Sequence, residues 1–268
     1  MHHYSLNLSY PDLDVFRVGD VFYYSSSTFA FSPGAPVLKS YDLVNWTPVT
    51  HSVPTLNFGT KYNLNSATSR AYVQGIWAST LRYHQPQDAF YWIGCVESSK
   101  TYIWTALGTG AGKNAGEVSN WTWTAKATLN KCYYDCGLLI DDDDTMYVVY
   151  GNTNIMVAQL NKDGTGEVKS QTVYTGSTYI EGSRMYKING TYYIFLTKPA
   201  SAEWVLKSKS PWGPYEMKVL VDRYVSQVQI YKEIRAYVIL IVFRARFPTR
   251  DTATKAELLI PRIINGTM

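Results

Sequence analysis

The sequence predicts an all-β fold and, within that class, a β-propeller. Three observations lead there. Helix signals are almost absent, and short alternating or aromatic and β-branched runs fill the chain between Gly, Asp, Asn and Pro breaks. A local pattern recurs: a turn pair, a spacer, then a bulky pair entering a strand. It appears at Gly19-Asp20-Val21-Phe22-Tyr23, Gln87-Asp88-Ala89-Phe90-Tyr91, Asp143-Asp144-Thr145-Met146-Tyr147 and Asn189-Gly190-Thr191-Tyr192-Tyr193. The Asn-Gly version is a strong hairpin signal. Finally, the repeats start 46 to 68 residues apart, the span of a four-stranded blade with variable loops. Tyr231 to Tyr237 loosely echoes Tyr186 to Tyr192 and marks a fifth unit.

Composition excludes several classes. With 268 residues, 46% hydrophobic and 17% charged, the chain is long enough for a substantial core and is read as a single domain over 1–268. No apolar run approaches the ~18 residues of a membrane helix. The net charge of +4 comes from scattered Lys and Arg, which argues against nucleic acid as a partner. Aromatics reach 15%, which serves either an ordinary β core or stacking on the C–H faces of sugars. The cysteines are Cys95, Cys132 and Cys136; their odd number implies no disulfide framework. With four His in the chain and no matching spacing, no zinc site is expected. Met1-His2-His3-Tyr4 has neither the charged nor the apolar region of a signal peptide, although five N-x-[ST] sequons occur, at Asn7, Asn45, Asn120, Asn189 and Asn265.

In a propeller the innermost strand of each blade lines the central channel, so residues at its start converge from distant points in sequence. Upstream of the repeats stand three acids at one blade position. Asp12 lies 11 residues before Tyr23, Asp135 lies 12 before Tyr147, and Glu181 lies 12 before Tyr193. The corresponding region of the second blade holds Trp77. Carboxylates are rarely buried unless paired or functional. Glycoside hydrolysis needs two of them across a glycosidic bond, one protonated to donate to the leaving oxygen and one ionised to activate water. A third acid raises the donor's pKa by repulsion and holds its orientation. Trp77 supplies either a stacking wall for the sugar ring or core packing.

These residues carry a resemblance. Asp12-Leu13-Asp14 through Asp20, Ser26 to Phe29 through Phe31 to Gly34, Val37 to Trp46, Gly75-Ile76-Trp77-Ala78-Ser79, Asp135 before Leu138 to Asp143, Glu181-Gly182-Ser183 before Met185 to Lys187, and Ser208 to Tyr215 are similar to glycoside hydrolase family 43. This family of five-bladed propellers includes arabinofuranosidases, β-xylosidases and arabinanases. The resemblance covers about residues 10–216. It implies Asp12 as general base, Asp135 as pKa modulator and orienter, and Glu181 as general acid of an inverting reaction. Base and acid would then stand ~6.5–9.5 Å apart. Phe29 and Phe31 would join Trp77 in binding substrate. Details of the first two motifs look most like the fungal branch that removes arabinofuranosyl groups from arabinoxylan. The partner implied is a plant cell-wall polysaccharide or oligosaccharide, met outside the cell by a monomeric enzyme without a cofactor.

The chain departs from the family in three places. Cys136-Gly137 replaces Pro-Ser after Asp135, and Ser183 replaces Pro after Glu181. Met217–Met268 contains no His, whereas the family's fifth blade has a His-containing stretch that often holds a central ion or water. A shortened product with an atypical or incomplete last blade is therefore expected. Asp141 to Asp144 lacks the ligand spacing of a calcium loop and reads as a hairpin turn. His51 and His84 read as surface or loop residues, and Arg184 either pairs with a carboxylate or lies exposed on a strand. Within the class, a β-xylosidase or arabinanase is the alternative. Outside it, a non-catalytic sugar-binding propeller is the competitor.

Overall fold

The computed structural model describes residues 10–72, 74–108, 120–199 and 201–222. They form four antiparallel four-stranded sheets, each a meander in chain order. Blade one comprises β1 (Asp14–Val18), β2 (Val21–Ser25), β3 (Gly34–Ser40) and β4 (Thr47–Val53). Blade two comprises β5 (Thr80–His84), β6 (Ala89–Val96), β7 (Lys100–Leu107) and β8 (Trp123–Leu129). Blade three comprises β9 (Gly137–Ile140), β10 (Met146–Tyr150), β11 (Asn154–Leu160) and β12 (Glu167–Thr175). Blade four comprises β13 (Glu181–Ile188), β14 (Thr191–Lys198), β15 (Ala202–Ser208) and β16 (Glu216–Asp222). The all-β propeller expectation holds with four blades. The echo at Tyr231 to Tyr237, and with it the expected fifth blade, lies outside the described residues.

The four repeats occupy one structural position, the hairpin from the first to the second strand of each blade. Each turn contains a residue with left-handed φ: Gly19 (57°), Asp88 (45°), Asp144 (65°) and Asn189 (50°). Gly, Asn and Asp reach that region at least cost, which is why these residues punctuate the repeats. The Asp141 to Asp144 run is such a turn, with Asp144 N–H donating to the Asp141 carbonyl.

The bulky residues that follow in blades two and three fill the spaces on both sides of their sheets. Alternation along β6 sends Phe90 and Trp92 toward blade one and Tyr91 and Ile93 toward blade three. All eight β6 residues are buried. In β10, Met146 and Val148 face blade two while Tyr147 and Val149 face blade four. Each such side chain contributes roughly 1.5–3 kcal/mol by leaving water. Among the described residues, Tyr23, Phe90, Tyr91, Trp92 and Tyr147 are aromatics that pack in the clusters between blades.

The inner strands β1, β5, β9 and β13 meet around one buried carboxylate. Asp14 on β1 is 1% exposed. Its Oδ2 accepts from Arg82 Nη1 at 2.7 Å, Thr80 Oγ1 at 2.7 Å and the Leu81 N–H at 3.0 Å, all on β5. Thr80 Oγ1 in turn accepts from the Leu138 N–H of β9 at 3.0 Å. Arg184 on β13 brings Nε to 3.6 Å from Asp14 Oδ1 and donates to the carbonyls of Ser79, Cys136 and Ser183. Burial acts to raise the Asp14 pKa, but the two guanidinium groups and the hydrogen bonds outweigh it and hold the carboxyl below its usual value.

Two sequence expectations are corrected. Cys95, at the end of β6, is bonded to Cys132 between β8 and β9, with Cα atoms 5.1 Å apart, and Cys136 alone is free and buried. The odd count concealed a pair that only the sheet order brings together. His84 is buried at the end of β5, where Nδ1 accepts from the Gln87 N–H. Closing the 37-residue loop between Cys95 and Cys132 contributes about 4 kcal/mol in the chain-entropy picture.

Replacing Asp14 by Ala leaves Arg82 buried without its carboxylate. The Asp14→Ala variant is expected to lose about 3–5 kcal/mol of stability. A fall in the denaturant midpoint checks this; an unchanged midpoint would contradict the central role given to Asp14.

Candidate active site

The start of each inner strand delivers one residue to a common cavity of about 270 Å³. Asp12 stands two residues before β1, Ala78 two before β5 and Asp135 two before β9, while Glu181 is the first residue of β13. All four line the cavity. Its wall continues over blade four through Arg184, Tyr186, Phe195, Leu196, Thr197, Glu203 and Leu220.

Local backbone geometry aims the acids. Asp12 and Asp135 both adopt left-handed φ, 56° and 48°. Asp is among the few residues that tolerate this region, and such strain concentrates at functional sites. Ser27 Oγ donates to Asp12 Oδ2 at 2.6 Å. The Gly182 N–H donates to Asp135 Oδ2 at 3.2 Å. Tyr134 and Tyr179 hydroxyls donate to Glu181 Oε2 at 3.0 and 2.8 Å. The register of β13 against β14 shifts between Glu181 and Arg184, where Gly182 takes a φ of 69°. That bulge lets residues three apart both line the cavity.

Charge is concentrated here. Asp135 is pushed up to about 6, first by burial, then by repulsion from Glu181, with a smaller push from Asp12. Arg184 and the Gly182 N–H act against it. Repulsion within the trio is thus expressed on Asp135 itself. The neighbouring Cys136 thiol is pushed up to about 12 by burial, which leaves it un-ionised and inert. Among the described residues, no group of His, Cys, Asp and Glu is arranged to hold a metal ion.

The structure brings Asp12, Asp135 and Glu181 into one cavity, but Trp77, Phe29 and Phe31 are not among its lining residues. Ala78 occupies the blade-two position that lines the cavity, and Trp77 precedes it, half-buried. Phe29 is half-buried and pairs through its backbone with Ile76, while the Phe31 ring is 64% exposed. The three aromatics thus share a loop region beside the cavity. Arg184 pairs with a carboxylate, that of Asp14. Sequence reading missed Asp14, Arg82, Tyr134 and Tyr179 as site or hub residues. The available signals were the Asp12-Leu13-Asp14 spacing and a Tyr next to or two before each of the later acids.

Comparison with known proteins places this geometry. The sequence profile described as glycosyl hydrolases family 43 matches residues 5–232. The chain belongs to that family. It is 31% identical over 243 residues to a β-xylosidase of Formosa agariphila, covering 81% of this chain and 40% of the relative. It is 31% identical over 220 residues to a non-reducing-end α-L-arabinofuranosidase of Bacteroides ovatus, covering 77% and 38%. A solved GH43 glycoside hydrolase superposes with a TM-score of 0.78 at 62% identity, covering 81% of this chain and 42% of that one. That protein was engineered in its active site to display both endo-xylanase and exo-arabinofuranosidase activity. The chain spans about two-fifths of the length of the curated relatives it matches.

The Asp135 shift has a consequence for stability. A carboxyl raised above its unfolded value stabilises the fold while protonated, below about pH 4, and that contribution is lost as pH rises through about 6. Asp135→Asn keeps the acceptor for Gly182 and removes the charge. Its melting temperature should exceed that of the parent by several degrees at pH 8 and match it at pH 4, read by calorimetry. A decrease at pH 8 would contradict the direction of the shift.

Proposed function

We propose that this propeller belongs to an inverting glycoside hydrolase that removes α-L-arabinofuranosyl side groups from arabinoxylan. The observation that carries the reading is the convergence of Asp12, Asp135 and Glu181, from three blades, on one cavity. Glu181, as general acid, gives its proton to the leaving glycosidic oxygen. Asp12, as general base, takes a proton from water while the water oxygen bonds to the anomeric carbon from the opposite face. Two carboxyls in those roles produce inversion in a single displacement. Asp135 contributes charge and a hold on Gly182, beside the acid. Trp77, Phe29 and Phe31 lie outside the cavity lining, so their part in binding falls to sugar units beyond the one held between the acids. The arabinofuranosidase of Bacteroides ovatus and the 62% identical engineered enzyme support the sugar assignment.

A second reading, β-xylosidase, is favoured by the Formosa agariphila relative. Both readings place the substrate in plant cell-wall polysaccharide. An extracellular setting suits the Cys95–Cys132 bond, since disulfides persist in oxidising compartments.

The test is NMR of the first products from wheat arabinoxylan and from xylo-oligosaccharides. Free arabinose appearing first as the β anomer supports the proposal; xylose as the first product supports the second reading. Glu181→Gln should lower kcat/KM on arabinoxylan by about 10²–10⁴-fold. Unchanged turnover in that variant, or no sugar released by the parent, would overturn both.

A further inference from the structure

Glu181 has two partners that the hydrolytic scheme leaves unused. Tyr134 immediately precedes Asp135, and Tyr179 stands two residues before Glu181. Their hydroxyls lie 3.0 and 2.8 Å from the same carboxyl oxygen, Oε2, and 3.1 Å from each other. No hydrogen bond reaches Oε1 from the described residues. The two rings differ in setting: Tyr134 is half-buried, whereas Tyr179 is 47% exposed.

We propose that Tyr134 and Tyr179 are positioning residues that confine the Glu181 proton to Oε1 and ease its release to the leaving oxygen. The inference rests on the acid role given to Glu181 above. A phenol at neutral pH offers one proton and therefore donates. Both phenols stay protonated: burial first, then the neighbouring carboxylates, hold each above the usual tyrosine value, and their mutual contact raises Tyr134 while acting the other way on Tyr179 without reversing the outcome. An oxygen that accepts from them plays the carbonyl part of a carboxylic acid, so the acid's own proton belongs on the other oxygen. As the glycosidic bond breaks, that proton moves from Oε1 to the leaving oxygen and negative charge grows over the carboxylate. Hydrogen bonds to an ionised acceptor are roughly twice as strong as neutral ones. The phenols therefore stabilise the transition state more than the ground state.

Asp12, Asp135, Glu203, Arg184 and the Tyr186 phenol share the cavity with Glu181. Of the groups in and around the cavity, the tyrosine pair supplies the two hydrogen bonds that reach the carboxyl among the described residues, both at Oε2.

The experiment compares the parent, Tyr134→Phe, Tyr179→Phe and the double variant on arabinoxylan oligosaccharides and on 4-nitrophenyl α-L-arabinofuranoside. The nitrophenolate leaves with little protonation, so it reports on the rest of the site. The double variant should lose about tenfold in kcat on the oligosaccharide, with KM within about twofold and little loss on the nitrophenyl substrate. The alkaline limb of its kcat/KM profile should move up by about 0.5–1 pH unit, because donors that favour the ionised acid are gone. Titration of ¹³C-carboxyl-labelled glutamate, with the Glu181 signal assigned by its absence in Glu181→Gln, should show the same upward movement without turnover. Equal losses on both substrates, a loss carried by KM alone, or a limb and titration that stay in place would overturn the proposal. Glu181→Gln kinetics separate the two levels. If that variant keeps its rate, the acid assignment falls. If it is inactive while the tyrosine variants match the parent, only the tyrosine proposal falls.

Discussion

The centre of this molecule depends on neutralising one carboxylate. Asp14 lies on the strand that opens the first blade and is buried where the inner strands meet. Left alone there, its charge would be several kcal/mol out of place. Arg82, Thr80 and the Leu81 N–H from blade two, with Arg184 from blade four, remove that penalty together. Apolar side chains would have filled the same volume at less electrostatic risk. What they would not supply is direction. Thr80 passes the connection on to the Leu138 N–H, and Arg184 reaches back to carbonyls beside β5 and β9. The network ties the inner strands at one height, and the cavity acids emerge within two residues of it. The register of the hub is thereby the register of the site.

Above that neutralised layer the logic reverses. Asp12, Asp135, Glu181 and Glu203 line one cavity with Arg184 as the guanidinium among them. Asp135 shows the result, titrating near 6 through burial and the charge of Glu181. Two of these acids also hold left-handed backbone conformations. Repulsion and strain both oppose stability, by roughly 1–3 kcal/mol for each strained residue. They persist because the aromatic packing between blades and the Asp14 hub determine the backbone on either side. The crowding is expressed on Asp135, whose carboxyl is pushed up to about 6.

The fold was legible because its signal is repetitive. Four turn-and-aromatic motifs at matching positions expose the blade period, and each motif lands on the hairpin that its residues favour. The three acids were legible for the same reason, as departures from an apolar pattern at one place in each blade. What stayed hidden depends on neighbours in space. Cys95 and Cys132 come together because β6 and the segment after β8 are adjacent, which no spacing rule reveals. His84 read as a surface or loop residue because its neighbours, the Gln87 N–H and the Asp144 carboxylate 3.9 Å away, give no sequence motif. Trp77 drew attention through its ring, whereas strand phase puts the smaller Ala78 at the cavity. Asp14 was overlooked because residues two apart in an extended chain share a face; the left-handed φ of 56° at Asp12 breaks that rule, so Asp12 lines the cavity while Asp14 is buried in the hub.

The bulge at Gly182 shows how one strand meets both demands. In a regular strand, residues three apart face opposite sides of the sheet. Glu181 and Arg184 would then be divided, with the acid in the cavity and the guanidinium behind the sheet, or the reverse. The register shift between them cancels that alternation, and both side chains line the cavity while Met185 still packs into the core between blades three and four. Gly182 makes the shift at a φ of 69°, and a Cβ there would lie 3.3 Å from Thr197 Oγ1. The same residue turns its N–H to Asp135. A bulge that re-aims a side chain at a site is a recurrent device in sheets. In this chain a single extra residue lets β13 present Glu181 to the cavity, lend Arg184 to the Asp14 hub, and fasten the strand carrying both to the raised carboxyl of Asp135.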